Sequence, residues 1–394
     1  MSPMAPINLN LVAPSIHHFY SQSYELRDIA PLTGHVILSA SSASLLPNPV
    51  RTEVKLIQIV TSMGDSKQTR RLSGSTSELI KPTLFSERVL REVHLSFPSR
   101  DKEGNSTGTN VSDIPFSIDI PKNIPPTSET PIGSITYAIE CTAATQDHGT
   151  ITHRQPVKLG CHKIWIDSEK THKLLFPASN DIHGMTLTQC PTPRSGPRIS
   201  FLAIIHTHWM TAPADRPSEV RYLVVRKLKW QAEEVIKIMS KPVNSDGDYS
   251  ICERHLVRTL CEGSVKGSWE SEPNPERGDD DSSKAYGEGK PAIRIPFGFT
   301  IPKRAKVTDD IDLDAYDVEP NGADYSSCFE LPRKLSLSSM DAMMLAIVVH
   351  HRLKLEFVTG EDVFQRGTGR LVERTRSRTV LCPAVPFSVG EVSN

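Results

Sequence analysis

The chain has 394 residues, and its 45 Lys and Arg residues nearly balance its 46 Asp and Glu residues, so the formal net charge is −1. This balance argues against a strongly basic protein that coats nucleic acid. Hydrophobic residues make up 38% of the chain, which excludes a wholly disordered protein. The length exceeds what one hydrophobic core usually supports, and we therefore expect two domains.

Several features indicate the cellular compartment. The longest apolar runs, 201–205 and 343–349, are far shorter than the roughly 20 residues of a membrane-spanning helix. The first residues lack the charged and apolar regions of a secretory signal peptide. The seven cysteines contain no Cys-x-x-Cys pair, which argues against a disulfide framework and against a zinc module. We expect a soluble protein of the cytoplasm.

Short runs of alternating apolar residues recur along the whole chain. They are separated by 30 prolines and 22 glycines, which is the pattern of many strands joined by turns. At Val93, Leu95 and Phe97, for example, every second residue is apolar, as a half-buried strand requires. The clearest other runs are 34–40, 53–60, 135–141, 199–209 and 348–358. The sequence therefore predicts an all-β fold.

Residues 220–239 are the one segment with serious helical character, because Gln231–Ile238 would also make a good helix. The alternation at Val220, Tyr222 and Val224 favours strands instead. Polar composition predicts four loops, of which the last two are acidic and are interpreted as solvated insertions, with a regulatory or docking role as the alternative. These loops are 100–112, 240–250, 269–290 and 306–327.

A proline-rich segment at 190–197 lies at the midpoint of the chain and forbids a continuous helix or central strand. On either side the sequence repeats: Ile114–Lys122 and Ile295–Lys303 share Ile, Pro, Phe, Ile, Pro and Lys at the same positions. A long apolar strand follows each copy. The repeat predicts two similar antiparallel β-sandwiches in tandem, 7–193 and 198–390, joined by the proline-rich segment.

The residues around these two copies resemble a known family. In the first half, Ile114–Lys122, 124–126 and 130–140 resemble the N-terminal domain of α-arrestins and their fungal relatives, the arrestin-related trafficking adaptors. In the second half, Ile295–Lys303 and Ala346–Glu356 resemble the arrestin C-terminal domain. The resemblance implies two immunoglobulin-like sandwiches, no catalysis and no cofactor.

The resemblance also implies a role in membrane traffic. Fungal α-arrestins recognise plasma-membrane transporters and recruit a HECT-type ubiquitin ligase through its WW domains, so that the cargo is ubiquitinated and endocytosed. WW domains bind Pro-Pro-x-Tyr or Leu-Pro-x-Tyr segments, but none of the eight tyrosines has a proline two residues before it. A different branch of the arrestin fold, such as the retromer-like trafficking subunits, stays open.

The expected function is a non-enzymatic adaptor that binds membrane-protein tails and promotes ubiquitin-dependent endocytosis or trafficking. Its expected partners are transporter or receptor tails and a HECT-type ligase, which it engages directly or through another arrestin. Acidic lipids are a further candidate partner, and nucleic acid is not expected. The expected localisation is cytoplasmic, with peripheral recruitment to the plasma membrane or endosomes.

Two histidines raise the alternative of a jelly-roll-type metal-binding enzyme. His206 and His208 would share one face of a predicted strand, at a spacing that metal sites use. A metal needs at least three protein ligands, and His350 and His351 qualify as a third only by residue type. We interpret His206 and His208 as ordinary strand residues. Without a phosphate loop, nucleophile elbow or His-Glu-x-x-His motif, no catalytic, cofactor or metal residue is assigned.

The most basic stretch, 366–378, holds five arginines and one acidic residue, Glu373. If residues 374–378 form a strand, alternate arginines project from one face and could bind phosphates of lipid headgroups or of a phosphorylated tail. A solvated strand face balanced by the acidic loops is the alternative. The predicted anion-binding residues are Arg226, Lys227, Lys229, Arg370, Arg374, Arg376 and Arg378.

Overall fold

The computed structural model describes residues 7–22, 30–40, 51–63, 84–96, 111–121, 124–145, 149–164, 169–176, 182–190, 198–207, 216, 218–242, 251–270, 292–316 and 343–389. Within these residues the chain forms nineteen β-strands and two short 3-10 turns. The prediction of an all-β fold is confirmed. No helix in this part of the chain has the length and apolar character to cross a bilayer.

The strands are numbered here in chain order. They are β1 (Ile7–Val12), β2 (Ile16–Gln22), β3 (Leu32–Ala40), β4 (Arg51–Ser62), β5 (Phe85–Ser96), β6 (Val111–Ile118), β7 (Ser128–Thr130), β8 (Gly133–Thr145), β9 (Gly149–Ile164), β10 (Lys170–Leu175), β11 (Ile182–Cys190), β12 (Arg198–Thr207), β13 (Glu219–Pro242), β14 (Ile251–Glu270), β15 (Ala292–Thr300), β16 (Met343–Gln365), β17 (Leu371–Arg374), β18 (Arg378–Leu381) and β19 (Val385–Phe387). The 3-10 turns are Lys303–Ala305 and Leu313–Tyr316.

The chain folds into two compact units, and each unit is built from three separate segments. Unit 1 comprises Met1–Trp165, Ile236–Leu256 and Ile311–Val349, and unit 2 comprises Ile166–Val235, Val257–Asp310 and His350–Asn394. This division differs from the two tandem ranges 7–193 and 198–390 that the sequence predicts. The reason is that the long strands β13, β14 and β16 each supply residues to both units.

The proline-rich segment lies in sequence between two strands that the structure describes. Residues 191–197 lie outside the described part of the chain, but the strands on either side, β11 and β12, pair antiparallel with Cys190 opposite Ser200. Both strands belong to unit 2. The two strands that flank the segment, β11 and β12, are therefore neighbours in one sheet, and its role as a joint between two sandwiches stays a prediction.

Unit 1 contains a β-sandwich. One sheet has the strand order β1-β3-β6, and the other has the order β2-β9-β8-β4-β5 with β7 paired to β8. The pairs are antiparallel except β2 with β9, which is parallel. Both sheets contribute apolar side chains to one core because alternate residues of each strand point inward. Core residues include Leu9, Leu11, Val36, Leu38, Phe116, Ile118, Val54, Leu56, Ile135, Tyr137 and Ile139.

Tyr137 ties a loop to the core of unit 1. Its hydroxyl donates a hydrogen bond to the Pro125 carbonyl oxygen at 2.6 Å and accepts one from Gln58 Nε2 at 2.9 Å. Burial raises the pKa of Tyr137, although the Gln58 hydrogen bond and the Arg88 charge oppose the rise. The neutral hydroxyl therefore has a structural role, in the middle of the sequence phrase that resembles arrestins.

We predict that Tyr137→Phe lowers the stability of unit 1 by about 1–3 kcal/mol, because two buried polar groups lose their partner. Urea denaturation followed by fluorescence measures the change. Tyr222→Phe is the matched control, since the Tyr222 ring packs edge-on against Phe364 with centroids 5.7 Å apart. Equal midpoints for wild type and Tyr137→Phe would contradict the prediction.

Unit 2 contains a second β-sandwich. One sheet has the order β10-β11-β12-β15, and the other has the order β14-β13-β16-β17 with β18 and β19 also paired to β16. Aromatic rings form the centre of its core: Phe201 stacks on Phe297 with centroids 5.3 Å apart and meets Phe387 edge-on at 6.2 Å. Phe297 comes from the second copy of the repeated sequence, as Phe116 does from the first. Each copy thus supplies a core strand.

The segment with mixed helical and strand character is a strand. β13 runs through 219–242, so the strand prediction is correct and the helix alternative is wrong. The alternation changes phase, because Leu223 and Val225 are followed in the core by Leu228, three positions later. Of the predicted loops, residues 100–110, 243–250, 271–291 and 317–327 lie outside the described part of the chain, whereas 111–112, 240–242 and 269–270 belong to β6, β13 and β14.

Candidate functional site

Four of the predicted anion-binding residues lie along one edge of a sheet in unit 2. Strands β17 and β18 both pair with β16. Arg370 precedes β17, Arg374 ends it, Arg376 lies in the link, and Arg378 begins β18; all four are exposed. We call these four residues the arginine edge. Residues 375–377 have no strand structure, so the single strand considered from the sequence over 374–378 is divided between β17 and β18.

A glycine-containing turn leads into the arginine edge. Gly367 and Gly369 have φ of +87° and +63°, a backbone conformation that side chains with a Cβ rarely adopt. The turn is closed by the Gln365 N–H, which donates to the Arg370 carbonyl at 2.9 Å. Arg366 and Arg370 therefore stand at the two ends of a defined turn, and both are exposed.

Arg226 and Lys229 are bound to carboxylates within unit 2. Arg226 Nη2 lies 2.6 Å from Asp362 Oδ1, and Asp362 is only 2% exposed. Lys229 Nζ lies 2.5 Å from Glu356 Oε1. Arg374 approaches the same Asp362 oxygen from the arginine edge, with Nε at 3.4 Å. Asp362 therefore brings Arg226 and Arg374 together, whereas Lys229 is engaged elsewhere.

Lys227 is half-buried on β13 and belongs to the same basic run. The seven predicted residues thus divide into groups with different surroundings. Arg226 and Lys229 have carboxylate partners, Arg374 is shared between Asp362 and solvent, and the other three arginines of the arginine edge are exposed.

We predict that Asp362→Asn destabilises unit 2 by about 1–3 kcal/mol, because the partly buried Arg226 guanidinium loses its counter-charge. Thermal or urea denaturation measures the effect. Glu373→Gln removes an exposed carboxylate from the neighbouring strand and should change stability by less than about 0.5 kcal/mol. If both variants behave alike, Asp362 does not hold Arg226 as described.

The histidines proposed as metal ligands have an ordinary environment where the structure describes them. His208 lies outside the described residues. His206 Nε2 lies 2.9 Å from Thr186 Oγ1, and its ring centroid is 5.8 Å from that of His183, a residue that the sequence reasoning had not selected. The interpretation of His206 and His208 as ordinary strand residues, with a metal site as the alternative, stays a prediction.

Within the described part of the chain, one group of possible metal ligands is close enough to share an ion: Glu53, Glu92 and His94 in unit 1. Register places Glu53 opposite His94 and Lys55 opposite Glu92. Lys55 Nζ lies 3.2 Å from Glu53 and 3.6 Å from Glu92. Arg51 Nη2 also lies 3.3 Å from Glu53, so the protein's own two cations balance the two carboxylates and the group is a cross-strand ion-pair network.

Unit 2 also contains a buried cluster of charged groups that the sequence reasoning missed. Glu234, which is 0% exposed, accepts hydrogen bonds from Arg258 Nε at 2.5 Å and from the Thr308 N–H at 2.8 Å. The buried His351 places Nδ1 2.6 Å from Asp310 Oδ1 and Nε2 3.5 Å from Glu234 Oε1. The sequence offered only separate signals: His351 as a candidate by residue type, and two adjacent acidic residues, Glu233 and Glu234, before an apolar run.

The pKa shifts in this cluster have opposite directions. Burial alone would lower the pKa of His351, but the hydrogen bond to Asp310 and the charges of Asp310 and Glu234 raise it above its usual range. Burial alone would raise the pKa of Glu234, but the nearby imidazole of His351 and the hydrogen bonds from Arg258 and the Thr308 backbone lower it. Two carboxylates therefore face two cations when the imidazole carries its second proton.

No protein-family model matches the chain, and no curated protein matches it. Among solved structures, squid arrestin is similar to it with a TM-score of 0.34 and 9% sequence identity, over 94% of this chain and 92% of that one. A likeness at this level assigns no site and no activity.

Proposed function

We propose that the protein is a non-enzymatic, arrestin-like adaptor that binds the phosphorylated or acidic cytosolic tail of a membrane protein at the arginine edge. The observation that carries the proposal is the exposure of all four arginines on two adjoining short strands. Guanidinium groups form paired hydrogen bonds with phosphate and carboxylate oxygens. Glu373 is the only acidic residue within 366–378.

The apolar surroundings of the arginine edge favour a peptide as the ligand. Leu371, Val372 and Leu381 are 39%, 50% and 72% exposed, and an extended tail could cover them while its anionic groups contact arginines. The short strands β17 and β18 lie at the edge of the sheet path in the described part of the chain. Edge strands bind extended peptides by main-chain hydrogen bonds.

The proposed outcome is ubiquitin-dependent endocytosis or trafficking of the bound membrane protein. The sequence phrases that resemble arrestins support an adaptor. Because no tyrosine has a proline two residues before it, we propose that a HECT-type ligase is reached through a partner arrestin. The protein would then be recruited from the cytoplasm to the membrane by its cargo.

The test is binding of a short fluorescent peptide that carries several phosphoserines, measured by anisotropy with the full chain. We expect Arg374→Ala/Arg376→Ala/Arg378→Ala to weaken binding by about tenfold, since charge-assisted hydrogen bonds contribute more than neutral ones but are weakened by solvent exposure. Binding by the wild type should fall as salt rises.

The matched control removes three exposed arginines elsewhere, Arg198→Ala/Arg294→Ala/Arg304→Ala, and should bind the peptide as the wild type does. The unphosphorylated peptide should bind more weakly than the phosphorylated one. Equal losses in the two triple variants would sink the proposal, as would binding to anionic phospholipid vesicles in preference to the peptide.

A further inference from the structure

We infer that residues 303–310 form a strap in unit 2 whose closure requires the second proton of His351. The segment follows β15, begins with the 3-10 turn Lys303–Ala305 and has no regular strand structure up to residue 310. Ala305 and Val307 pack against the apolar core of the unit. The residues that alternate with them, Lys306, Thr308 and Asp310, make polar contacts.

Each polar contact comes from a different strand. Arg258 of β14 donates through Nη2 to the Lys306 carbonyl at 2.7 Å, Glu234 of β13 accepts from the Thr308 N–H at 2.8 Å, and His351 of β16 binds Asp310 at 2.6 Å. The same three side chains form the buried charged cluster. The strap is therefore held by the cluster along its length.

The backbone of the strap adopts an unfavourable conformation at Lys306. Lys306 has φ of +45°, the left-handed region that a residue with a Cβ seldom occupies. Tertiary contacts must stabilise this conformation. Because the Lys306 carbonyl and the Thr308 N–H are held by Arg258 and Glu234, a weaker cluster would let the bend relax.

The groups that face His351 are mostly charged, so the protonation state of its imidazole changes the charge balance of the cluster. Glu234 faces it from β13, Asp310 faces it from the strap, and Arg258 binds Glu234 from β14. The Phe387 ring of β19, with its centroid 5.7 Å away, adds an apolar neighbour.

The neighbouring charged residues are engaged with one another. Glu233 lies 2.7 Å from both Arg352 Nε and Lys354 Nζ. When His351 loses its second proton, the buried Glu234 and the partly buried Asp310 face one cation, Arg258, and the imidazole no longer offsets the Glu234 charge. Uncompensated buried charge is costly, so the strap opens.

The direction of the pH dependence follows from the raised pKa. A histidine whose pKa is higher in the closed form stabilises that form fully below its ordinary pKa of about 6.5. The contribution is lost as the pH rises through the raised value. Glu234, whose pKa is lowered, stays ionised across this range. The strap should therefore open as the pH rises through the raised pKa of His351.

Hydrogen–deuterium exchange of the full chain, read on peptides covering 303–310 between about pH 6 and pH 9, tests this inference, with intrinsic exchange rates corrected for pH. In the wild type, protection should be constant at low pH and then fall by up to about tenfold per pH unit through the His351 transition. His351→Gln cannot titrate, and its protection should not change with pH.

His350→Gln is the matched control, because it removes the adjacent histidine and should keep the transition. Asp310→Asn removes one carboxylate that raises the His351 pKa and should move the transition to lower pH; this variant decides the question if His351→Gln does not fold. Constant protection in the wild type would overturn the strap. So would a transition that persists unchanged in His351→Gln, or one in the same place in Asp310→Asn.

Discussion

The buried carboxylate of Glu234 must be surrounded by hydrogen-bond donors and positive charges, and the structure of unit 2 around it depends on this requirement. A fully buried ionised group costs several kcal/mol unless donors and counter-charges surround it. The carboxylate accepts hydrogen bonds from Arg258 on β14 and from the Thr308 backbone, and the imidazole of His351 on β16 lies 3.5 Å from it. Meeting this one requirement therefore fixes the position of two strands and an irregular segment around β13.

The same rule explains why neighbouring basic residues have different roles. Asp362 is buried and requires a cation, which Arg226 supplies; Glu356 is partly buried and binds Lys229. Arg226 and Lys229 therefore help to hold the strands of the sheet together. Arg370 and Arg376, in contrast, are exposed to solvent. The positions of the buried carboxylates thus determine which basic residues stay available to a ligand. The sequence shows the number of charged residues, but it does not show which carboxylates are buried.

Local alternation predicted much of the fold. The pattern at Val54 and Leu56 predicted β4, and the repeated phrase around Phe116 and Phe297 predicted two core strands. In both cases the information is local, because a strand side chain alternates with period two whatever it packs against. The all-β class and the presence of two sandwiches follow from that.

Non-local pairing explains what the sequence could not predict. Asp310 and His351 are 41 positions apart, and Glu234 and Thr308 are 74 apart. No periodic pattern relates such residues, so the buried cluster was missed. The phase change between Val225 and Leu228 on β13 was missed for a similar reason. The three-segment composition of each unit likewise depends on long strands whose partners lie far away in sequence.

Arg374 contacts a buried carboxylate of the sheet and is also exposed to solvent, where an anion could reach it. It is 57% exposed and lies 3.4 Å from Asp362, whereas Arg226 lies 2.6 Å from the same oxygen. An anion bound by Arg374 would draw its guanidinium away from the weaker of these two contacts. Asp362 would keep the stronger one, so its buried charge would stay neutralised. The arrangement allows the arginine edge to exchange an internal partner for a ligand without leaving a buried carboxylate alone.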